Sequence, residues 1–153
     1  MLFRSLVWPR NPWTRRYRQL DVDHSVPRDV DWLSGAALWL RREAIDAEGA
    51  FDERYFMYFE DVDLCWRLRG GGWRCRYLPA AGALHVQGTA TARRPYRMIA
   101  EHHRSAWIHA RDRYRGARAL ALPAIAAVLT LRLLGAWAHR LLTRAAKRPE
   151  VDG

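Results

Sequence analysis

Hydrophobic positions change their period several times along this chain, and each change marks an element. From Glu60 to Gly70 the apolar residues Leu64, Cys65 and Leu68 fall at helical spacing on one side, and Gly70, Gly71 and Gly72 are placed to stop the helix. Trp73-Arg74-Cys75-Arg76-Tyr77 then alternates apolar with charged, the period of a half-buried strand, and Pro79 closes it. Upstream, Ala36-Ala37-Leu38-Trp39-Leu40 is an unbroken apolar run with the length of a buried strand. A short helical segment follows from Arg41 through Ala47, ended by Gly49. Ala83-Leu84-His85-Val86 reads as a second short strand, and Gly88 opens a flexible stretch through Pro95. Tyr96 to Tyr114 reads as a helix rich in basic residues, and an Ala/Leu-rich helix follows Gly116.

These elements predict one α/β unit with short strands, followed by C-terminal helices. Residues 1–29 hold Pro9, Pro12 and Pro27 among arginines and tryptophans, the composition of an irregular lead-in. Residues 30–95 carry the alternating elements, 96–145 the two long helices, and 146–153 a flexible tail. A chain of 153 residues is long enough for one domain with a real core and too short to promise two. Half of it is hydrophobic, which argues against intrinsic disorder.

Charge narrows the partners. The net charge is +10, and every basic residue except Lys147 is arginine, so an anionic partner or surface is expected. The arginines are spread along the chain with acidic residues among them instead of forming a stripe, which disfavours nucleic acid. Met1 to Leu20 interleaves arginines with apolar residues and lacks the clean hydrophobic stretch of a secretory signal. Cys65 and Cys75 form neither a zinc motif nor a disulfide framework, in keeping with a reducing, cytoplasmic setting. In the Ala/Leu segment Arg132 limits the uncharged run to Ala119–Leu131, 13 residues against the roughly 20 of a bilayer span. An interfacial helix is expected, with Arg132, His139, Arg140 and Arg144 able to reach anionic headgroups; a plain core-packing helix is the other reading.

The strongest chemical signal is Tyr55-Phe56-Met57-Tyr58-Phe59-Glu60-Asp61-Val62-Asp63, an aromatic run leading directly into three carboxylates. Aromatic faces form the water-excluding walls on which sugar rings stack, and a carboxylate beside them can be tuned as a general base. Acidic residues in a first helical turn also simply stabilise its positive end. Asp63 has Arg67 four residues on, the spacing of a helical ion pair, whereas Asp61 has Cys65 there and no basic partner. Asp61 is thus the better candidate base. His85, at a strand end beside a loop, could ligate a divalent metal or simply pack or hydrogen-bond. His102 and His103, adjacent on a helix, read as surface residues. Asp-x-Asp occurs at Asp21/Asp23, Asp29/Asp31 and Asp61/Asp63; the first two pairs read as solvated loop charges. Neither a glycine-rich phosphate loop nor a nucleophilic triad is supported.

In order, these segments resemble the C-terminal half of family 2 glycosyltransferases, especially the bacterial rhamnosyltransferase-like members. Val30-Asp31-Trp32-Leu33-Ser34-Gly35-Ala36-Ala37 is similar to that family's V-D-W-x-S-G-A segment, and Arg41-Arg42-Glu43-Ala44 follows in place of R-R-E-x-F. Gly49-Ala50-Phe51-Asp52-Glu53 resembles G-G-F-D-E, with Ala50 for the second glycine. Tyr58 to Arg67 resembles Y-x-E-D-x-D-L-x-x-R, Gly72-Trp73 precedes the strand, and His85-Val86-Gln87-Gly88 resembles H-x-x-G.

The resemblance implies the C-terminal part of a GT-A fold, which transfers a sugar from a nucleotide diphosphate donor with Mg or Mn, usually with inversion. It implies Asp61 as the base that deprotonates the acceptor hydroxyl, Glu60 as its neighbour, and His85 as a metal ligand. Trp32, Ser34, Gly35 and Ala36 would line the cleft, and Tyr58 and Phe59 would flank a glycan or polyprenyl-linked acceptor. It places the protein on the cytoplasmic face of the plasma membrane, peripherally bound to an anionic surface. The family's N-terminal nucleotide-binding half and its metal-holding Asp-x-Asp have no counterpart in this chain, so the isolated chain is expected not to transfer sugar. A non-catalytic basic module bound to a membrane surface is the competing reading.

Overall fold

The computed structural model describes residues 22–85 and 94–145. Among them are two short strands and four α-helices. Strand β1 (Arg28–Asp29) leads through an irregular loop to helix α1 (Arg42–Glu48); helix α2 (Glu60–Gly70) precedes strand β2 (Arg76–Tyr77). Helix α3 (Pro95–Arg113), a 3₁₀ turn (Gly116–Ala121) and helix α4 (Leu122–Ala145) follow. The strands pair antiparallel, Arg28 opposite Tyr77 and Asp29 opposite Arg76, and the Val30 N–H donating to the Cys75 carbonyl at 2.8 Å extends the ladder.

A small core lies between α1 and α2. Ala44, Leu64 and Leu68 are buried there, with Ile45 and Trp73 packed against them. Helix α2 forms where the spacing of Leu64, Cys65 and Leu68 predicts: all three are buried. Its first turn carries Glu60, Asp61 and Asp63 and its last Arg67 and Arg69, charges that complement the helix dipole at both ends. Gly71 and Gly72 end it, their N–H groups closing on the Arg67 and Arg69 carbonyls at 3.0 and 3.1 Å. Gly49 stops α1 as expected; its φ of 80° is accessible at little cost only to glycine.

Two expected strands are not formed. Ala36 to Leu40 is irregular with Trp39 82% exposed, and Ala83 to His85 is irregular with Leu84 95% exposed. A strand needs a neighbour to satisfy its backbone, and the β1–β2 pair, the one sheet among the described residues, pairs with neither segment. The Trp73–Tyr77 alternation does hold: Cys75 is buried between exposed Arg74 and Arg76, although only Arg76 and Tyr77 are in the ladder. Asp29 and Asp31 are solvent-exposed, as expected, and each also has an arginine partner. Asp29 pairs with Arg74 at 3.5 Å and Arg76 at 3.3 Å, and Asp31 with Arg69 at 2.7 Å. All these side chains are solvent-exposed, so each pair contributes little to stability. The lead-in before residue 22, the stretch 86–93 and the tail lie outside the described residues.

Helices α3 and α4 pack against each other as an antiparallel hairpin, Trp137 Nε1 near the end of α4 donating to the Tyr96 carbonyl near the start of α3 at 3.4 Å. From Gly116 to Thr143 the helical segment is 28 residues, and its most apolar 18-residue window has a mean hydropathy of 2.0, long and apolar enough by length and composition to cross a membrane. Within it the uncharged run is still Ala119–Leu131, bounded by Arg118 and Arg132.

Candidate active site

The candidate site is built where the turn before α2 meets the loop after β1. Tyr58 and Phe59 both adopt positive φ, 69° and 67°. Two consecutive bulky residues in the left-handed region are strained, and such strain persists only where surrounding contacts enforce it. The reversal starts α2 abruptly at Glu60 and turns both aromatic rings toward α3.

Helix α3 supplies the enforcing contacts. The buried Ser105 hydroxyl donates to the Met57 carbonyl at 2.9 Å, and Arg104 Nη1 to the Arg54 carbonyl at 2.9 Å. The His102 ring meets those of Tyr58 and Phe59 at centroid distances of 5.2 and 5.6 Å, and His109 meets Phe59 at 5.1 Å. Burial holds His102 below its ordinary range, helped by neighbouring His103. Burial, reinforced by Arg113, depresses His109 to about 4. Both rings are thus neutral at pH 7. This corrects the surface reading of His102 and His103: His102 is half-buried against the aromatic turn, and His103, also half-buried, places Nδ1 2.7 Å from the Ile99 carbonyl. One sequence signal could have found the bracing face. Met98, His102, Ser105 and His109 recur three or four apart, but with three polar members the stripe does not look apolar.

Asp61 is the point where distant segments converge. The Gly35 N–H donates to Asp61 Oδ2 at 2.9 Å, and the Val62 N–H to Asp61 Oδ1 at 2.8 Å. The loop is pinned a second time by the Leu33 N–H, which lies 3.5 Å from Cys65 Sγ. A side chain at position 35 would begin 3.5 Å from Asp61 Cβ, so glycine leaves the carboxylate open on that side. Each Asp61 oxygen accepts one backbone N–H and keeps a further lone pair for a hydroxyl. Trp32 is half-buried and Ser34, Gly35 and Ala36 are exposed along this loop, with the Ser34 hydroxyl 3.4 Å from the Ala36 N–H.

Glu60, though adjacent, has a different environment. Its Oε2 is buried without a hydrogen-bond partner, and burial, with a smaller contribution from Asp61, raises its pKa.

Asp63 is structural, as the i,i+4 spacing indicates. It is buried, Arg67 Nε donates to its Oδ2 at 2.8 Å, and Arg113 Nη2 lies 3.6 Å from Oδ1. Arg67 also reaches the Glu48 carbonyl, the Gly49 carbonyl at 3.3 Å and the Ala50 carbonyl at 2.6 Å, fastening the loop after α1 to α2. Arg113 lies 4.2 Å above the Trp66 ring, on a cleft of about 430 Å³ lined by Asp52, Arg54, Asp63, Trp66, Arg67 and Asp112 among others. Of its cations, Arg54, Arg67 and Arg113 are paired with carboxylates, and Arg115 Nε donates to the Asp112 carbonyl at 3.1 Å.

His85 is exposed at the end of the coil after β2. No group of three or more His, Cys, Asp or Glu among the described residues could hold a metal ion, so these residues do not by themselves make a metal site. Cys65 and Cys75 are both free and buried, and burial pushes the Cys75 thiol up to about 12.

Similarity to known proteins bears on what this geometry is for. Over 109 residues, 71% of the chain, it is 50% identical to the N-acetylglucosaminyl-diphospho-decaprenol L-rhamnosyltransferase of Mycobacterium tuberculosis. It is 45% identical over 56 residues, 37% of the chain, to a rhamnosyltransferase of Escherichia coli K12, and 39% identical over 93 residues, 56% of the chain, to the pre-mycofactocin glycosyltransferase of M. tuberculosis. The chain spans only 35%, 21% and 20% of the lengths of these relatives. No protein-family model and no solved structure matches it.

Proposed function

We infer that this chain, a homologue of rhamnosyltransferases and related glycosyltransferases, carries the acceptor side of a sugar-transfer site of family 2, GT-A type. The observation that carries the reading is the 2.9 Å hydrogen bond from Gly35 to Asp61, which joins two motifs 26 residues apart around one carboxylate. Asp61 takes the proton of an acceptor hydroxyl as that oxygen attacks the anomeric carbon. A hydroxyl is a poor nucleophile at neutral pH, and a positioned carboxylate accelerates such a step by about 10²–10⁴-fold. The nucleotide diphosphate leaves from the opposite face, which gives inversion. Glu60, whose carboxyl pKa burial raises above its ordinary value, flanks Asp61 as its neighbour in the pair. Tyr58 and Phe59 form the apolar wall, and Trp32, Ser34, Gly35 and Ala36 the floor, of a cleft for a glycan or polyprenyl-linked acceptor.

The donor side comes from residues that the longer relatives have beyond the matched region. A divalent cation, Mg or Mn, belongs to that side; His85 could contribute one ligand, the remainder coming from outside the described residues. The isolated chain is accordingly inactive. The test is release of nucleotide diphosphate across several sugar donors, with Mg and with Mn, by the isolated chain and by a chimera in which it replaces the matched 109 residues of the mycobacterial relative. Turnover by the chimera alone supports the reading; robust turnover by the isolated chain, or none by a folded chimera, contradicts it.

A further inference from the structure

Helix α4 is apolar over most of its circumference, with Arg132, His139 and Arg140 interrupting it, and so wide an apolar surface calls for burial or contact with lipid. One side is accounted for. Ile125, Leu129, Leu133 and Trp137 recur at helical spacing, are half-buried, and form the stripe toward α3. At roughly 100° per residue, the opposite arc of about 160° carries Ala124, Val128, Leu131, Leu134, Ala138 and Leu142, all exposed. Not one charged residue falls within that arc. Arg132 and His139 lie along its border, and Arg140, on the α3 side, sits 5.9 Å over the Tyr96 ring.

We propose that the α3–α4 hairpin is a docking surface for an anionic lipid bilayer, with α4 lying in the plane of the interface and its uncharged arc in the acyl region. Length and hydropathy alone would permit a span. The hairpin decides against it: α3 runs along α4 and carries Arg97, Glu101, Arg104 and Arg111, which hydrocarbon would not accommodate. An in-plane helix with a basic border instead places its arginines at headgroup level, where anionic lipid complements them. The chain's net charge of +10 has the matching sign. This surface stands independently of the sugar-transfer reading, yet it orients that site. On α3, Tyr96 faces α4 and His102, Ser105 and His109 face the aromatic turn on the other side, so α3 separates the Glu60–Asp61 carboxylates from the membrane. Two helix-packing distances put the site roughly 15–20 Å above it, within reach of a glycan held on a lipid headgroup.

Flotation of the full chain tests this, using vesicles of phosphatidylcholine alone or mixed equally with phosphatidylglycerol. The chain is expected to float with the mixed vesicles, less at raised salt. Leu131→Glu with Leu142→Glu, both at exposed positions, should lower the partition coefficient at least about tenfold. Arg132→Gln with Arg140→Gln should lower it about 25-fold on the anionic vesicles only. Circular dichroism confirms that the variants remain helical. The proposal is overturned if the parent chain floats with neither vesicle, or if the double glutamate variant floats as well as the parent. It is equally overturned if sedimentation shows a dimer that the glutamates dissociate, with no vesicle binding, because the arc is then covered by a second copy.

Discussion

His109→Phe removes a buried titration without removing a ring from the face of Phe59, and its effect can be worked out in advance. His109 Nδ1 is buried without a hydrogen-bond partner, and burial together with Arg113 holds its pKa at about 4, against an ordinary 6.5. Asp63 and Asp112 act in the opposite sense and are outweighed. The unfolded chain therefore binds a proton at a pH where the folded chain does not, and stability falls as pH drops from about 6.5 toward 4. Linkage puts the loss due to this group at about 2.5 kcal/mol by pH 4.5. His102, also depressed, adds to it in the same direction, whereas Glu60, whose pKa is raised, gains stability as pH falls through its window. Comparing parent with variant cancels those two contributions. Urea unfolding followed by tryptophan fluorescence, at pH 7.5 and pH 4.5, should show a pH-dependent loss about 2.5 kcal/mol smaller in His109→Phe than in the parent. Equal losses in the two proteins would refute the account of His109 as a neutral, desolvated brace.

Arg67→Met should destabilise the fold by about 3 kcal/mol in urea titration, because it strands buried Asp63 and frees three carbonyls of the loop after α1; Arg113, at 3.6 Å, compensates only in part. Ser105→Ala should cost about 1–2 kcal/mol by the same measurement, since the buried hydroxyl holds the Met57 carbonyl at the strained turn. Hydrogen exchange should then show the amides of Tyr58 and Phe59 opening more readily than those of α2's last turn, and uniform protection would contradict the bracing role of α3.

Much of this arrangement was legible in the sequence because it depends on local spacing. The i,i+4 interval that ties Asp63 to Arg67 also leaves Asp61 unpaired, and the structure keeps both relations. The boundaries of α1, α2 and α3 follow from apolar period and from glycine. The two missing strands were not legible, because an apolar run states only that it wants a partner, and neither Ala36–Leu40 nor Ala83–His85 has one in the sheet formed here. The bracing face of α3 was hidden for a different reason. Histidine looks polar in a sequence, yet burial makes it behave as a neutral ring, so His102 and His109 pack as core residues do. Positive φ at Tyr58 and Phe59 has no sequence signature, since nothing but tertiary contact compensates it.

The central claim concerns one carboxylate. In the chimera joining this chain to the remainder of the mycobacterial relative, Asp61→Asn should lower release of nucleotide diphosphate in the presence of acceptor by about 10²–10⁴-fold, while stability in urea falls by only about 1 kcal/mol, because Asn keeps an oxygen for the Gly35 N–H and loses the bond from the Val62 N–H. Turnover within a few-fold of the parent chimera would contradict Asp61 as the base and, with it, the reading of this turn as an acceptor site.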